Sequence, residues 1–216
     1  MTYLRTLPRT LGISLFSVLG FGVVAFLMSK SYMDAFDAAV IAFVQGWEHP
    51  LLTAVMRAFS FIGDPLPVVI LAVCVLVVQW TLLRHRLEVL LPVIILGGAA
   101  LGNALLKLLF HRQRPTLNRI IEEAGYSFPS GHSMSALALY ATLAFLLWRH
   151  LPTRRGRTAV VAASCAMILG IGLSRIYLGV HYPSDVVGAY FASGFWFTLW
   201  VWLYQWYKEY RYEQSR

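Results

Sequence analysis

Two histidines in this chain stand among residues able to move a phosphoryl group. His181 is followed four residues later by Asp185, and Pro183 between them suits the first turn of a helix. That spacing lets the carboxylate reach back to the imidazole. By accepting from one ring nitrogen it fixes the tautomer and leaves the other nitrogen free as a nucleophile. His132 closes the run Pro129-Ser130-Gly131-His132 at the start of an apolar stretch, where it is free to act as a proton donor. Ser130 and Gly131 have the pattern of a helix N-cap: serine covers free amides, glycine permits close approach, and the helix N-terminus itself favours anions. Lys107, Arg114 and Arg175 add three cations with no matching anion nearby except Asp185. Such a trio repels itself unless a polyanion sits between its members. Arginine's planar fork fits phosphate oxygens bidentately, and lysine contributes a point charge. Taken singly, a basic residue at the end of an apolar run usually snorkels to lipid headgroups, and a Ser-Gly pair usually only caps a helix. Taken together these residues describe a phosphate site.

The elements that must position them are membrane helices. Of the 216 residues 58% are hydrophobic and 13% charged, and the mean hydropathy is +0.64. A soluble domain carries about 25% charged residues, and a fold of this size could not hide so much apolar surface from water. An ordinary cytosolic enzyme, a disordered chain and a nucleic-acid-binding module are excluded; the partner implied is the lipid bilayer. Charge-free runs at about 10–29, 65–83, 89–106, 131–148, 158–174 and 186–207 approach or reach the roughly 17–25 residues that a helix needs to cross about 30 Å of hydrocarbon. Lipid offers the backbone no other partner, so each run is expected to be a helix. Segment 38–59 has a charge-free core of only 38–47 and is interrupted by Glu48, His49, Pro50 and Arg57. It reads as one or two short interfacial helices between the first two spans. The expected architecture is an all-α, six-span bundle forming a single domain over 1–216. Threading six spans brings Lys107, His132, Arg175 and His181 to the same end.

The remaining charges orient the bundle. Arg5, Arg9, Arg84, Arg86, Arg149, Arg154, Arg155, Arg157, Lys208, Arg211 and Arg216 fall on one side, 11 of the 18 basic residues. Cytoplasmic loops are enriched in Lys and Arg, so this side and both termini are expected in the cytoplasm and the phosphate site on the outer face. The first run is long for a cleaved signal, and Met28-Ser29-Lys30-Ser31-Tyr32 offers no small-x-small cleavage site, so it reads as a retained span. Cys74 and Cys165 lie in separate apolar runs and are expected to pack. Aromatic residues crowd the last span from Phe195 to Tyr207, in keeping with an interfacial belt at its inner end. His49, His85, His111 and His150 read as bystanders.

Lys107-x6-Arg114-Pro115, Pro129-Ser130-Gly131-His132 and Ser174-Arg175-x5-His181-x3-Asp185, all complete and in order, resemble the three signature motifs of the type 2 phosphatidic acid phosphatase (PAP2) family. The resemblance implies that His181 is the nucleophile and takes the phosphoryl group as a phosphohistidine. It implies that Asp185 orients His181, and that His132 protonates the departing oxygen and then activates water. Lys107, Arg114, Ser130, Gly131 and Arg175 would bind the phosphate. No cofactor and no metal is implied, and Glu122, Glu123 and Asp185 are the only carboxylates near the motifs, the first two lying in a loop. The implied activity is hydrolysis of a lipid phosphate monoester or diphosphate in a cell membrane. Phosphatidylglycerol phosphate, undecaprenyl diphosphate and phosphatidate are competing substrates, and loop 113–128 and segment 32–64 are expected to decide among them. Vanadate-dependent haloperoxidases share the motifs, but those enzymes are soluble. A transporter would bury its ionisable groups near mid-membrane, whereas here they stand at span ends.

Overall fold

A computed structural model describes residues 7–83, 89–116 and 118–214. Every regular element among them is a helix: α1 (Leu7–Ser29), α2 (Asp34–Gln45), α3 (Pro50–Ile62), α4 (Pro65–Val78, continued by a π-helical turn Gln79–Leu83), α5 (Leu90–Phe110), α6 (Gly131–His150), α7 (Arg154–Tyr177) and α8 (Pro183–Gln214). Five of these, α1 and α5 to α8, are long and apolar enough to cross a membrane. The sixth span is shorter than expected. α4 meets α3 at a 54° bend around Gly63 and Asp64, and the two helices reach spanning length only as a bent pair. Segment 38–59 resolves into α2 and α3 with a break at Trp47–His49, where His49 caps α3 by accepting from the Leu51 amide at 3.3 Å.

α6 forms the centre of the bundle. Half of it is buried, a larger share than in any other span, and it packs against α4, α5, α7 and α8, while α1 lies along α8. Val68, Ala136, Leu139, Tyr140 and Ile171 fill the space between α4, α6 and α7. Leu91, Ile95, Ala99 and Ala138 fill that between α5 and α6, with Trp196 and Trp200 of α8 packed on them. Cross-helix hydrogen bonds from Ser193 Oγ to the Met134 carbonyl (2.9 Å) and from Trp196 Nε1 to the Ile94 carbonyl (3.2 Å) satisfy buried donors that lipid could not. The outer surface carries Phe16, Leu19, Phe26, Val69, Leu101, Leu109 and Leu169, all more than half exposed, as a bilayer-facing bundle requires. Cys74 and Cys165 belong to that surface. Both are free and exposed, so the expected packing role is corrected.

The helix ends determine where chemistry can occur. α1, α5 and α7 finish, and α4, α6 and α8 begin, at one end of the bundle, and α2 and α3 fold over that end. Gln45 Nε2 donates to the Tyr177 carbonyl at 3.2 Å, and Thr53 Oγ1 lies 2.8 Å from the Tyr177 hydroxyl. Met56 packs with Tyr177, Leu178 and Val180. The spans outrun the charge-free runs because helix continues into polar residues: α7 starts at Arg154 and α8 ends at Gln214.

Candidate active site

His181 lies in the tight turn between α7 and α8 and is 1% exposed. The turn is held by the Arg175 carbonyl, which accepts from the amides of Val180 and His181 at 3.2 Å each. It also needs Gly179, whose φ of +74° is a left-handed conformation and whose Cα faces the Asn118 carbonyl. Asp185, in the first turn of α8, returns to this turn as the i, i+4 spacing predicts. Its Oδ2 is 3.4 Å from His181 Nδ1 and accepts from the Tyr182 amide at 2.8 Å and from the Ser127 hydroxyl. His181 Nε2 points the other way and lies 3.0 Å from Arg114 Nη1. Burial pushes the imidazole's pKa down to about 3; Asp185 works against that shift, and Arg114 and Arg175 add to it. The ring is therefore neutral at ordinary pH. With its Nδ1 proton directed at Asp185 and Ser127, its Nε2 lone pair faces the cations.

Asp185 is itself held from the far side. Arg112 Nη1 donates to Asp185 Oδ1 (2.7 Å) and to Ser184 Oγ (2.7 Å), and its Nη2 donates to Asp37 Oδ2 (2.8 Å). Asp37 comes from α2, is 1% exposed, and also accepts from the amide and hydroxyl of Ser184 at 2.8 and 2.6 Å. Burial opposes the charge on Arg112, but Asp185 and Asp37 outweigh it and raise its pKa.

The expected cations converge. Arg114, 5% exposed, is fixed by the carbonyls of Ala124, Gly125 and Val180, each at 3.0 Å. Arg175, 2% exposed, reaches Ser60 Oγ of α3, while its buried Nε has no partner. Lys107 stands in the last turn of α5, close enough to feel the charges of Arg114, Arg175 and Asp185. Ser130 is fully buried and caps α6, accepting from the Ser133 amide at 3.4 Å. Next to it, a Cβ on Gly131 would come within 3.1 Å of Asn103 Oδ1, and the Asn103 amide group donates to the Pro129 carbonyl at 2.9 Å. The helix ladder leaves the first amides of α6 without partners within the helix.

The expectation that only Asp185 offers the cations an anion is corrected. Glu123, read as a loop charge, turns inward. Its Oε2 pairs with Arg175 Nη2 and lies 3.4 Å from Arg114 Nη1, and its Oε1 is 3.9 Å from His132 Nδ1. A carboxylate thus sits where the sequence anticipates phosphate oxygens. His132 also has an unforeseen partner, Asp64 Oδ1, 2.7 Å from its Nε2.

Every site residue expected from the sequence therefore lies at one end of the bundle. Asp37, Asp64, Asn103, Arg112, Glu123 and Ser127 were not foreseen. Asp37 carried no distinctive signal, being one of two aspartates in the first turn of α2. Among the described residues no group of three or more His, Cys, Asp or Glu side chains has the geometry of a metal site.

A multi-pass helical bundle whose spans converge on two histidines, a buried carboxylate and a guanidinium-lined anion pocket is a membrane enzyme of phosphoryl transfer. Residues 88–210, more than half of the chain, match the PAP2 superfamily, and the chain belongs to it. It is 31% identical over 165 residues to phosphatidylglycerophosphatase B of Bacillus subtilis (strain 168), which covers 74% of this chain and 77% of that protein. A lipid A 1-phosphatase of Rhizobium johnstonii is 45% identical over 73 residues, 34% of this chain and 25% of that one. The crystal structure of a transmembrane PAP2-type phosphatidylglycerolphosphate phosphatase from Bacillus subtilis superposes with a TM-score of 0.76 at 29% identity, covering 87% of this chain and 93% of that chain.

Proposed function

We propose that this chain hydrolyses the phosphate monoester or diphosphate of a membrane lipid through a phosphohistidine on His181. The observation that carries the proposal is the buried, neutral imidazole of His181, whose Nε2 faces Arg114 across from an anion pocket already holding a carboxylate. In the first step Nε2 attacks phosphorus and the bond to the lipid oxygen breaks, with His132 giving that oxygen a proton. In the second, His132 takes a proton from water, the water oxygen attacks phosphorus, and the N–P bond breaks to release phosphate. Arg114, Arg175, Lys107 and the first amides of α6 hold the equatorial oxygens and spread their charge, which is most of what phosphoryl transfer asks of a protein.

The substrate reaches this site from the bilayer. An apolar slot of about 330 Å³ runs between α1, α5 and α8, lined by Phe21, Gly98, Gly102, Leu106, Met134 and Phe195. Leu106 in its wall immediately precedes Lys107, and Met134 follows His132 by two residues, so the slot suits an acyl or prenyl chain whose headgroup enters the site. The bundle end carrying the site faces outward, both termini lying in the cytoplasm. The fuller match to a phosphatidylglycerophosphatase favours phosphatidylglycerol phosphate as substrate, with undecaprenyl diphosphate and phosphatidate next.

Phosphate release by purified protein in detergent, compared by kcat/KM over those three lipids, tests the reading. His181→Ala and His132→Ala are expected to remain folded and to lose turnover by at least 10²-fold, the low end of what such groups contribute. Retained turnover in His181→Ala removes the phosphohistidine route.

A further inference from the structure

The turn between α3 and α4 contains a carboxylate that forgoes its local role. Asp64 is the N-cap of α4, with extended backbone (φ −64°, ψ 154°) followed by Pro65, and an aspartate there ordinarily bonds the amides of its own helix. Asp64 makes no such bond. Its Oδ1 turns out of the helix to His132 Nε2, 68 residues away, at 2.7 Å. The backbone comes this close because residue 63 is glycine. A Cβ there would lie 2.7 Å from Ile171 Cγ2 and 3.2 Å from His132 Cδ2, so the 54° bend between α3 and α4 delivers Asp64 against the ring. The His132 side chain is 10% exposed and that of Asp64 43%, so the carboxylate is the solvent-facing member of the pair.

From this arrangement we infer that Asp64 is a positioning residue for His132. It holds the Nε2–H tautomer and so commits Nδ1, the nitrogen facing Glu123 and the cation pocket, to the proton transfers. The two histidines are then oriented by separate carboxylates in opposite senses. Asp185 takes the Nδ1 side of His181 and frees Nε2 for attack, whereas Asp64 takes the Nε2 side of His132 and frees Nδ1 for acid and base work. The protons balance. Before the first step His132 carries protons on both nitrogens; Nδ1–H goes to the lipid oxygen as the P–O bond breaks, and Nε2–H stays on Asp64, which remains ionised. Nδ1 then accepts a proton from water as the N–P bond breaks, restoring the imidazolium that Asp64 stabilises. Removing Asp64 weakens both transfers without touching the phosphate ligands.

The inference rests on the proposed acid–base role of His132, and the test separates the two. Asp64→Asn keeps the size of the side chain and can still cap α4. With a lipid phosphate such as phosphatidate, kcat is expected to fall on the order of 10²-fold at unchanged KM. With p-nitrophenyl phosphate, whose leaving group needs no proton, Asp64→Asn is expected to give a burst of one nitrophenolate per chain and then slow turnover, because phosphorylation proceeds while water activation fails. Asp64→Asn added to His132→Ala should cost nothing further. Asp64→Asn turnover near that of the unmodified protein, with His132→Ala inactive, overturns the inference and leaves the histidine reading standing. Burst and steady state falling together, or additive losses in the double variant, identify a merely structural cap and also overturn it. Full turnover in His132→Ala overturns both.

Discussion

At the scale of single residues the site is a contest among charges for one small volume. His181 is neutral because burial denies its ring a second proton, and the sign of the resulting pH dependence follows. With a folded pKa of about 3 against about 6.5 in an unfolded chain, the unfolded state takes up the proton first as pH falls. His181 therefore contributes stability that is fully present above about pH 6.5 and is lost progressively toward about pH 3. The proposed nucleophile, meanwhile, stays unprotonated down to far lower pH than a free imidazole. kcat/KM for p-nitrophenyl phosphate is expected to remain within about two-fold of its pH 7 value at pH 5; a loss centred near pH 6.5 would contradict a buried neutral ring. Glu123 is the other competitor. Its carboxylate holds Arg175 and Arg114 in the resting site, so an incoming phosphate must displace it. Glu123→Gln removes that competition, and inorganic phosphate should inhibit about three- to ten-fold more tightly, the equivalent of roughly 1 kcal/mol. An unchanged or weaker inhibition constant would mean that the carboxylate does not occupy the phosphate position.

At the scale of elements, α2 acts as a clamp. Asp37 accepts three hydrogen bonds from Arg112 and Ser184, and Arg112 carries the connection on to Asp185, so α2, loop 111–130 and the start of α8 are tied around the carboxylate that faces His181. Asp37→Asn leaves Arg112 still paired with Asp185 but costs about 2 kcal/mol, less than the loss of a buried ion pair's sole partner. A fall of several degrees in the thermal midpoint in detergent is expected, with a drop in kcat; an unshifted midpoint would count against the clamp. This is also where the sequence stops being readable. Lys107, Arg114, His132, Arg175, His181 and Asp185 were legible as a group because their spacing and the threading of the spans bring three cations, two histidines and a carboxylate to one end, although each alone would be ordinary there. Asp37 and Asp64 were not, because an aspartate in a first turn or at an N-cap is ordinary, and only contacts 68 to 147 residues apart in the chain give these two another role. Glu123 read as a loop charge for the same reason. The six apolar runs gave the spans, but not the bend at Gly63–Asp64, which depends on how closely α4 can approach Ile171 and His132.

At the scale of the whole molecule, the charge distribution argues for an orientation. Around the site end the described basic residues are Lys30, Arg57, Lys107, Arg112, Arg114, Arg119 and Arg175. Of these, Arg112 is bound to Asp37 and Asp185, and Lys107, Arg114 and Arg175 surround the anion pocket. Lys30, Arg57 on α3 and Arg119, which pairs with Glu122, remain. The opposite end carries Arg9, Arg149, Arg154, Arg155, Arg157, Lys208 and Arg211, while Arg5, Arg84, Arg86 and Arg216 lie outside the described residues. Discounting the cations assigned to the proposed phosphate site thus strengthens the asymmetry, and supports the proposal that the enriched end lies in the cytoplasm. Single cysteines can test this in a variant with Cys74 and Cys165 replaced by alanine, both of which are exposed on the lipid-facing surface and outside the site. Glu122, with its side chain 85% exposed, marks the site end, and exposed Arg155 marks the other. In intact cells a membrane-impermeant maleimide is expected to label Glu122→Cys, and to label Arg155→Cys only after permeabilisation. The reverse pattern would place the phosphate pocket on the cytoplasmic side, and its substrate would then have to come from the inner leaflet.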